Sequence, residues 1–281
     1  MVKPQIALGA VPEHRPDTTP GHEAPIRLEA QAPCSPYRRY LFVRTILTVV
    51  ARSFSRIRVE GSHNLPPGPS ILCFTHQSWA DPFYVFAAMP KTPRMYFFGP
   101  EQEEMRRGTR NRLMRWSGAV IPYRPGKRGL VAATRKAVSV LRAGSPVAIA
   151  GEGRIHSGEG VVLPLRDGPA YLALMAGVPL VPVAINGTGW LGFRRAVRIR
   201  VGAPIGHPSA GTRPTEAAMR NLTSEAQAAL ELLVQGFPDR PKPGIIGRLI
   251  TELFNDWPGG ARPAVPSSAR DLEHVGPGSG S

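Results

Sequence analysis

The chain is short of cysteine, of acid and of lysine. Two cysteines in 281 residues, Cys34 and Cys73, exclude a disulfide framework and show no metal-ligand spacing. A reducing compartment is the simplest environment for such a chain. Acidic residues number 20 against 35 basic ones, a formal charge of +15. That balance points to an anionic partner: a lipid surface, a phosphorylated substrate or nucleic acid. Only five of the cations are lysines (Lys3, Lys91, Lys127, Lys136 and Lys242). The rest are arginines, permanently charged, planar and matched to phosphate. Long apolar runs are missing too. No stretch reaches the roughly 18 residues of a membrane-spanning helix, and the N-terminus has no apolar core of a secretory signal.

Hydrophobic residues make up 42%, enough for a sizeable core. Residues 1–35, rich in Pro, Ala, Glu and His without periodicity, read as a disordered tail. Residues 36–56 read as an amphipathic helix whose apolar stretch Leu41–Ala51 is broken by Arg44 and flanked by Arg38, Arg39, Arg52 and Arg56. The single sign of that charge favours a helix lying in a membrane surface, cations outward, over one merely packed on the domain. Residues 57–240 form the main domain. Apolar, β-branched runs at 70–75, 94–98, 119–123, 146–150, 180–185 and 197–201 alternate with helical stretches at 82–89, 101–116, 129–143 and 168–177, followed by a helix at 214–235. This rhythm predicts an α/β domain with a central mixed, largely parallel sheet flanked by helices. A short helix at 241–257 and a Gly/Pro/Ser-rich tail at 258–281 complete the chain.

Chemistry-bearing residues collect where strands should end. His76 and Asp81 follow the run Ile71–Phe74, with Ser78 between them. An imidazole with a carboxylate beside it can draw a proton off a hydroxyl. A plainer reading makes Asp81 an N-cap before Pro82. Gly118–Arg124 reads as a strand leaving an arginine at its exit. No Asp or Glu occurs from Met105 to Arg128, so an anion site is favoured there over a solvated face. Aromatics beyond Trp116 and Tyr123 are absent from that stretch, which argues against single-stranded nucleic acid. After the run 146–150 come Gly151, Glu152, Gly153 and Arg154. Glycines allow close backbone approach to a ligand, Glu152 can accept from hydroxyls, and Arg154 can hold a phosphate; taken alone, the stretch reads rather as a plain glycine turn with exposed charges. Pro182, inside the apolar run Val181–Ile185, predicts a bulge, an edge or the wall of a site. Gly187-Thr188-Gly189-Trp190-Leu191-Gly192 has dinucleotide-loop spacing, but a strand-like stretch follows it and no acid stands about 20 positions on, so it is set aside.

Taken together in this order, the four strand-end features resemble the glycerolipid acyltransferase family, best known for 1-acylglycerol-3-phosphate acyltransferases. His76, Ser78 and Asp81 match its first block, with Thr75 where the family has asparagine. Gly118–Arg124 matches the second and Gly151-Glu152-Gly153 the core of the third, where the arginine falls one place early, at Arg154. Val181–Ile185 matches the fourth. The resemblance implies an acyl group moved from acyl-CoA or acyl carrier protein to the hydroxyl of a lysophospholipid, 1-acylglycerol-3-phosphate above all, in phospholipid biosynthesis. It implies His76 as general base and Asp81 as its partner. Ser78, Arg124, Gly151, Glu152, Gly153 and Arg154 become substrate-binding residues. No metal or cofactor is implied beyond the donor substrate. The enzyme would be peripheral or monotopic on the cytoplasmic face of the membrane, against an anionic surface, with no nucleic acid partner. The altered third block also admits another lysolipid or a glycolipid acceptor. The charge alone admits a non-catalytic binder of anionic lipid or nucleic acid. The exchanged Thr75 admits a repurposed relative in which His76 and Asp81 point apart.

Overall fold

The computed structural model describes residues 37–100, 109–123, 127–156, 158–206, 214–238 and 242–255. Both expected tails, the start of the expected helix 101–116, and Arg124 lie outside these residues. The described elements, in chain order, are α1 (Tyr37–Phe54), β1 (Ser55–Glu60), β2 (Ile71–Phe74), α2 (Asp81–Ala88), β3 (Tyr96–Pro100), α3 (Thr109–Ser117), β4 (Val120–Tyr123), α4 (Lys127–Arg142), β5 (Val147–Ala150), α5 (Gly168–Ala176), β6 (Leu180–Asn186), β7 (Arg195–Val201), α6 (Glu216–Val234) and α7 (Ile245–Asn255).

The strands form one sheet in the order β1-β7-β6-β2-β5-β3-β4. Every neighbouring pair is parallel except β6 with β7. Five strands therefore point their carboxyl ends the same way, and β1 and β7 run against them. The sheet is mixed and mostly parallel, as the alternating pattern predicts.

Strands buried on both faces need apolar residues at every position. In β2, Leu72 and Phe74 face a core shared with α1 and α2, whereas Ile71 and Cys73 face a second core shared with α4, α5 and α6. The one-residue alternation of a pleated strand divides the two sets.

Two features differ from the sequence reading. The first helix stops at Phe54, and Ser55 and Arg56 already belong to β1. The sequence Ser55-Arg56-Ile57-Arg58-Val59-Glu60 alternates charge with β-branched residues, which suits a partly exposed edge strand. That charge hid it from an apolar-run criterion. Pro182 is not in an edge strand, since β6 is flanked by β2 and β7, but it does sit at an irregularity: Val183 pairs with Val201, and pairing resumes one residue out of step at Leu180 with Ile205. It stands where the β7 ladder ends. Its carbonyl accepts from Gly202 N at 2.9 Å, and its donor-less nitrogen forfeits only the last bond of that ladder.

α1 is part of the core on one side. Tyr40, Val43, Arg44 and Ala51 are buried. The expectation of cations outward fails at Arg44, which is only 2% exposed. Its guanidinium lies 5.2 Å from the Phe86 ring centroid and donates to the Met89 carbonyl at the end of α2. A helix C-terminus carries partial negative charge, so a cation there is stabilised. Arg94 is likewise buried, with Tyr37, Tyr40 and Tyr96 around it. The opposite side of α1 leaves Phe42, Ile46, Val49 and Val50 exposed. No described helix is long and apolar enough to cross a membrane.

If α1 is integral to the domain, Tyr40→Ala should lower unfolding stability by about 3–5 kcal/mol, the usual cost of emptying a buried aromatic site. Urea unfolding measures this. A loss below about 1 kcal/mol would mean that α1 is a loosely attached appendage.

Candidate active site

The carboxyl ends of β2, β5 and β6 converge on one rim. β2 delivers His76, β5 delivers Gly151 and Glu152, and β6 delivers Asn186 and the loop carrying Thr188. In an open parallel sheet this rim is where side chains from several strands meet around a crevice.

His76 Nδ1 lies 3.0 Å from Asp81 Oδ2. The same oxygen accepts from Gln77 N at 2.6 Å and Ser78 N at 2.8 Å. The other oxygen, Oδ1, accepts from Thr188 Oγ1. Asp81 is fully buried, and these donors keep it acceptor-only. That assigns the proton of a neutral His76 to Nδ1 and leaves Nε2 with its lone pair. Nε2 has no partner among the described residues and is not among their sealed-off polar atoms. The ring is held edge-on between Phe74 and Trp79, at 5.9 and 5.5 Å between centroids. It is fixed in direction and 7% exposed. Such a ring can take a proton from a hydroxyl at Nε2 while its imidazolium form is stabilised at Nδ1.

The plainer reading of Asp81 as an N-cap is overturned. Asp81 is the first helical residue, and the cap position, Ala80, makes no side-chain cap bond. The carboxylate turns back to Gln77 and Ser78 instead of forward over the helix. The repurposed arrangement, with His76 and Asp81 apart, is excluded by the same contact. Thr75, in the place of the family's asparagine, bridges to β6: its Oγ1 accepts from Ile185 N at 2.9 Å.

Several residues expected to touch substrate face inward instead. Ser78 is fully buried, and its Oγ donates to Asn255 Oδ1 at 2.9 Å and accepts from Ala80 N at 3.1 Å. It holds the loop rather than a ligand. Glu152, 2% exposed, accepts from His76 N and Leu163 N, each at 3.4 Å. His156 Nε2 lies 3.0 Å from its Oε2, off the line of a hydrogen bond. Glu152 therefore braces the loop after β5 against the one after β2. A Cβ at Gly151 would stand 2.6 Å from Cys73 Sγ and 2.8 Å from Leu165 Cδ2, so this glycine serves close packing. Gly153 has φ 68° and turns the chain, a conformation other residues resist. Arg154 is half-buried, and its Nη2 is buried without a partner. Arg124 follows β4 directly but lies outside the described residues.

Two site residues escaped the sequence reading. Thr188 sits in the glycine-rich loop that was set aside, and β7 does follow that loop. Asn255, at the end of α7, accepts from Trp79 N at 2.8 Å and from Ser78 Oγ. It stands 176 residues beyond Trp79, and nothing local marks it. Cys73 is a different case. Burial, and secondarily the nearby Glu152 carboxylate, push its thiol up to about 12. It stays protonated and cannot supply a thiolate nucleophile.

Two outcomes follow from these contacts. Thr188→Val keeps the shape but strips Asp81 Oδ1 of its donor, so stability should drop by about 1.5–3 kcal/mol in urea; an unchanged midpoint would show that the contact carries nothing. Above its ordinary value near 9, the Cys73 thiol ionises in the unfolded chain but not in the folded one. The native state then holds the extra proton, and stability falls as pH rises toward 12. Wild type should lose about 1 kcal/mol more than Cys73→Ala between about pH 8 and about pH 10.

A family model described as Acyltransferase matches residues 56–186. The span opens in β1 and closes on the last residue of β6, so it holds His76, Asp81 and Glu152 but neither Thr188 nor Asn255. The fold is similar to the crystal structure of the 1-acyl-sn-glycerophosphate (LPA) acyltransferase PlsC from Thermotoga maritima. Sequence identity is 21% and the TM-score 0.53, over 72% of this chain and 81% of that one. The matched span encloses the histidine–aspartate pair on the rim, and this similarity supports an acyl-transferring enzyme.

Proposed function

We propose that this enzyme moves a fatty acyl group from a thioester, acyl-CoA or acyl carrier protein, to the hydroxyl of a lysophospholipid at a membrane surface. 1-Acylglycerol-3-phosphate is the favoured acceptor. The observation that carries the reading is His76, held at Nδ1 by a fully bonded Asp81, with Nε2 open. The chemistry named for the Thermotoga maritima neighbour supports the acceptor.

In this mechanism the acceptor hydroxyl lies against His76 Nε2. Its oxygen attacks the thioester carbonyl as Nε2 takes its proton. The imidazolium is stabilised by Asp81 through Nδ1–H. The tetrahedral intermediate then collapses, the C–S bond breaks, and the Nε2 proton passes to the leaving thiolate. No covalent acyl-enzyme is required, consistent with a Cys73 thiol that stays protonated. Arg154, with a buried guanidinium nitrogen lacking a partner, is assigned to the acceptor's phosphate together with Arg124. Glu152 and Ser78 position the two loops and do not touch substrate.

The altered third block carries a second reading, with the same chemistry on a different lysolipid or a glycolipid. The sequence puts Arg154 directly after Gly153, so its guanidinium starts from a different backbone position than in the family pattern. Membrane attachment through the exposed stripe of α1 suits both readings, because donor and acceptor each carry an acyl chain. On this reading the enzyme is a peripheral protein of the cytoplasmic face.

Incubation of purified protein with labelled acyl-CoA and a panel of lysolipids tests the proposal. His76→Ala should cut kcat about a hundredfold to ten-thousandfold, the worth of a positioned general base, with unchanged thermal unfolding. Near-full activity in that variant would end the assignment. Arg154→Gln should raise KM for phosphate-bearing acceptors and leave uncharged ones alone. The reverse selectivity would favour the glycolipid reading.

A further inference from the structure

A cavity of about 290 Å3 at the end of α1 is lined by Arg52, Ser53, Ser55, Arg56, Ile57 and Arg194. Three arginines are among its lining residues, and the proposed chemistry uses none of them. No ion-pair partner for any of the three occurs among the described residues. Glu60, on the same strand as Arg56, is held by Arg58 and Arg200, each at 2.9 Å. Three like charges around one hollow repel unless an anion sits between them.

Arg194 marks the cavity in a second way. It is the one described non-glycine residue with positive φ, at 55°. Glycine would hold that turn without the steric cost an arginine bears. Its backbone N–H donates to the Phe54 carbonyl at 2.6 Å, which fastens the strained turn onto the end of α1. Basic residues near a helix C-terminus offset its dipole, and Arg52 alone meets that need. Arg194 comes from another element and does so at a cost, and such strain concentrates where a ligand is held.

Exposed apolar side chains stand next to the lining residues in the chain. Phe193 is 72% exposed and meets Phe54 edge-on at 6.5 Å. Val49 and Val50, on the adjacent turn of α1, are 58% and 57% exposed. The hollow also lies on the His76 rim. β1 and β7 run against the other strands, and Arg198 of β7 pairs with Asn186 at the end of β6. The starts of β1 and β7 therefore share an edge with the ends of β6 and β2. β1 is three strand positions from β2, roughly 14 Å at the usual spacing.

We propose that this cavity binds the phosphodiester of an anionic phospholipid in the bilayer, with Phe193, Val49 and Val50 entering the apolar layer around it. The headgroup would seat the catalytic rim against the membrane that supplies the substrates. This deepens the membrane-surface reading and rests on it. A free phosphate offers the same charge, but it would leave Phe193, Val49 and Val50 in water.

The test is flotation with vesicles of phosphatidylcholine, with and without phosphatidylglycerol. Wild type should prefer the anionic vesicles. Arg52→Gln/Arg56→Gln/Arg194→Gln should bind them about a hundredfold more weakly, at roughly fivefold per cation, and bind neutral vesicles unchanged. Arg194→Gly relieves the turn, so it should unfold at no lower temperature and still lose roughly fivefold. This single variant keeps the test valid if the triple one misfolds. Arg128→Gln/Arg135→Gln/Lys136→Gln, on exposed positions of α4, removes equal charge from the other face and should cost far less. An equal loss there, wild-type binding by the pocket variants, or competition by millimolar inorganic phosphate as strong as that by the lipid would each overturn the site. His76→Ala should bind vesicles normally, so that failed catalysis and a failed lipid site are told apart. If wild type ignores both vesicles, the membrane reading falls together with the site.

Discussion

The structure depends on one buried carboxylate. Asp81 accepts from the His76 ring, two backbone amides and the Thr188 hydroxyl. A carboxylate sealed from water is costly unless donors surround it. The turn 76–81 supplies three of them and β6's following loop the fourth. Because the donors are fixed, so is the direction of the imidazole, and the open nitrogen follows from that. The reactive geometry is thus a by-product of satisfying a buried charge.

The surrounding scaffold serves that turn. Glu152 joins it to the loop after β5, and Thr75 joins the end of β2 to β6. Asn255 clamps its outer side from α7, which Thr251 in turn fixes to Leu191 through a 2.8 Å bond. Gln77 Oε1 and His156 Nε2 are left without hydrogen bonds at the margin of this network, but the carboxylates and backbone amides at its centre are bonded, and such cross-links stiffen the loop. Rigidity in the loop is what an orienting base requires.

Arginine serves two opposed purposes in this chain. Arg44 and Arg94 are buried, stacked on aromatic rings and bonded to local oxygens. Arg52, Arg56 and Arg194 stay at the surface, with no ion-pair partner among the described residues. Planar, weakly hydrated guanidinium suits both settings, where lysine would suit neither as well. A count of charges cannot separate the two, so the excess of +15 overstates the cations available to a partner.

Local pattern carried the α/β alternation, the mostly parallel sheet and the placing of His76, Asp81 and Glu152 at strand ends, because pleat and helix periodicity are local properties. It also carried the family resemblance, since the blocks are short and contiguous. It missed β1, whose arginines disguise an edge strand, and it turned Ser78 and Glu152 toward substrate when both face the interior. Which way a polar side chain points depends on what arrives beside it from distant sequence. Asn255 reaches Trp79 across 176 positions, and Thr188 reaches Asp81 across 107. The sequence alone determined which chemistry could occur at the rim. Only the tertiary structure decided which groups are spent on holding the histidine and which nitrogen is left to act, because hydrogen-bond satisfaction in a closed interior is a property of the whole fold.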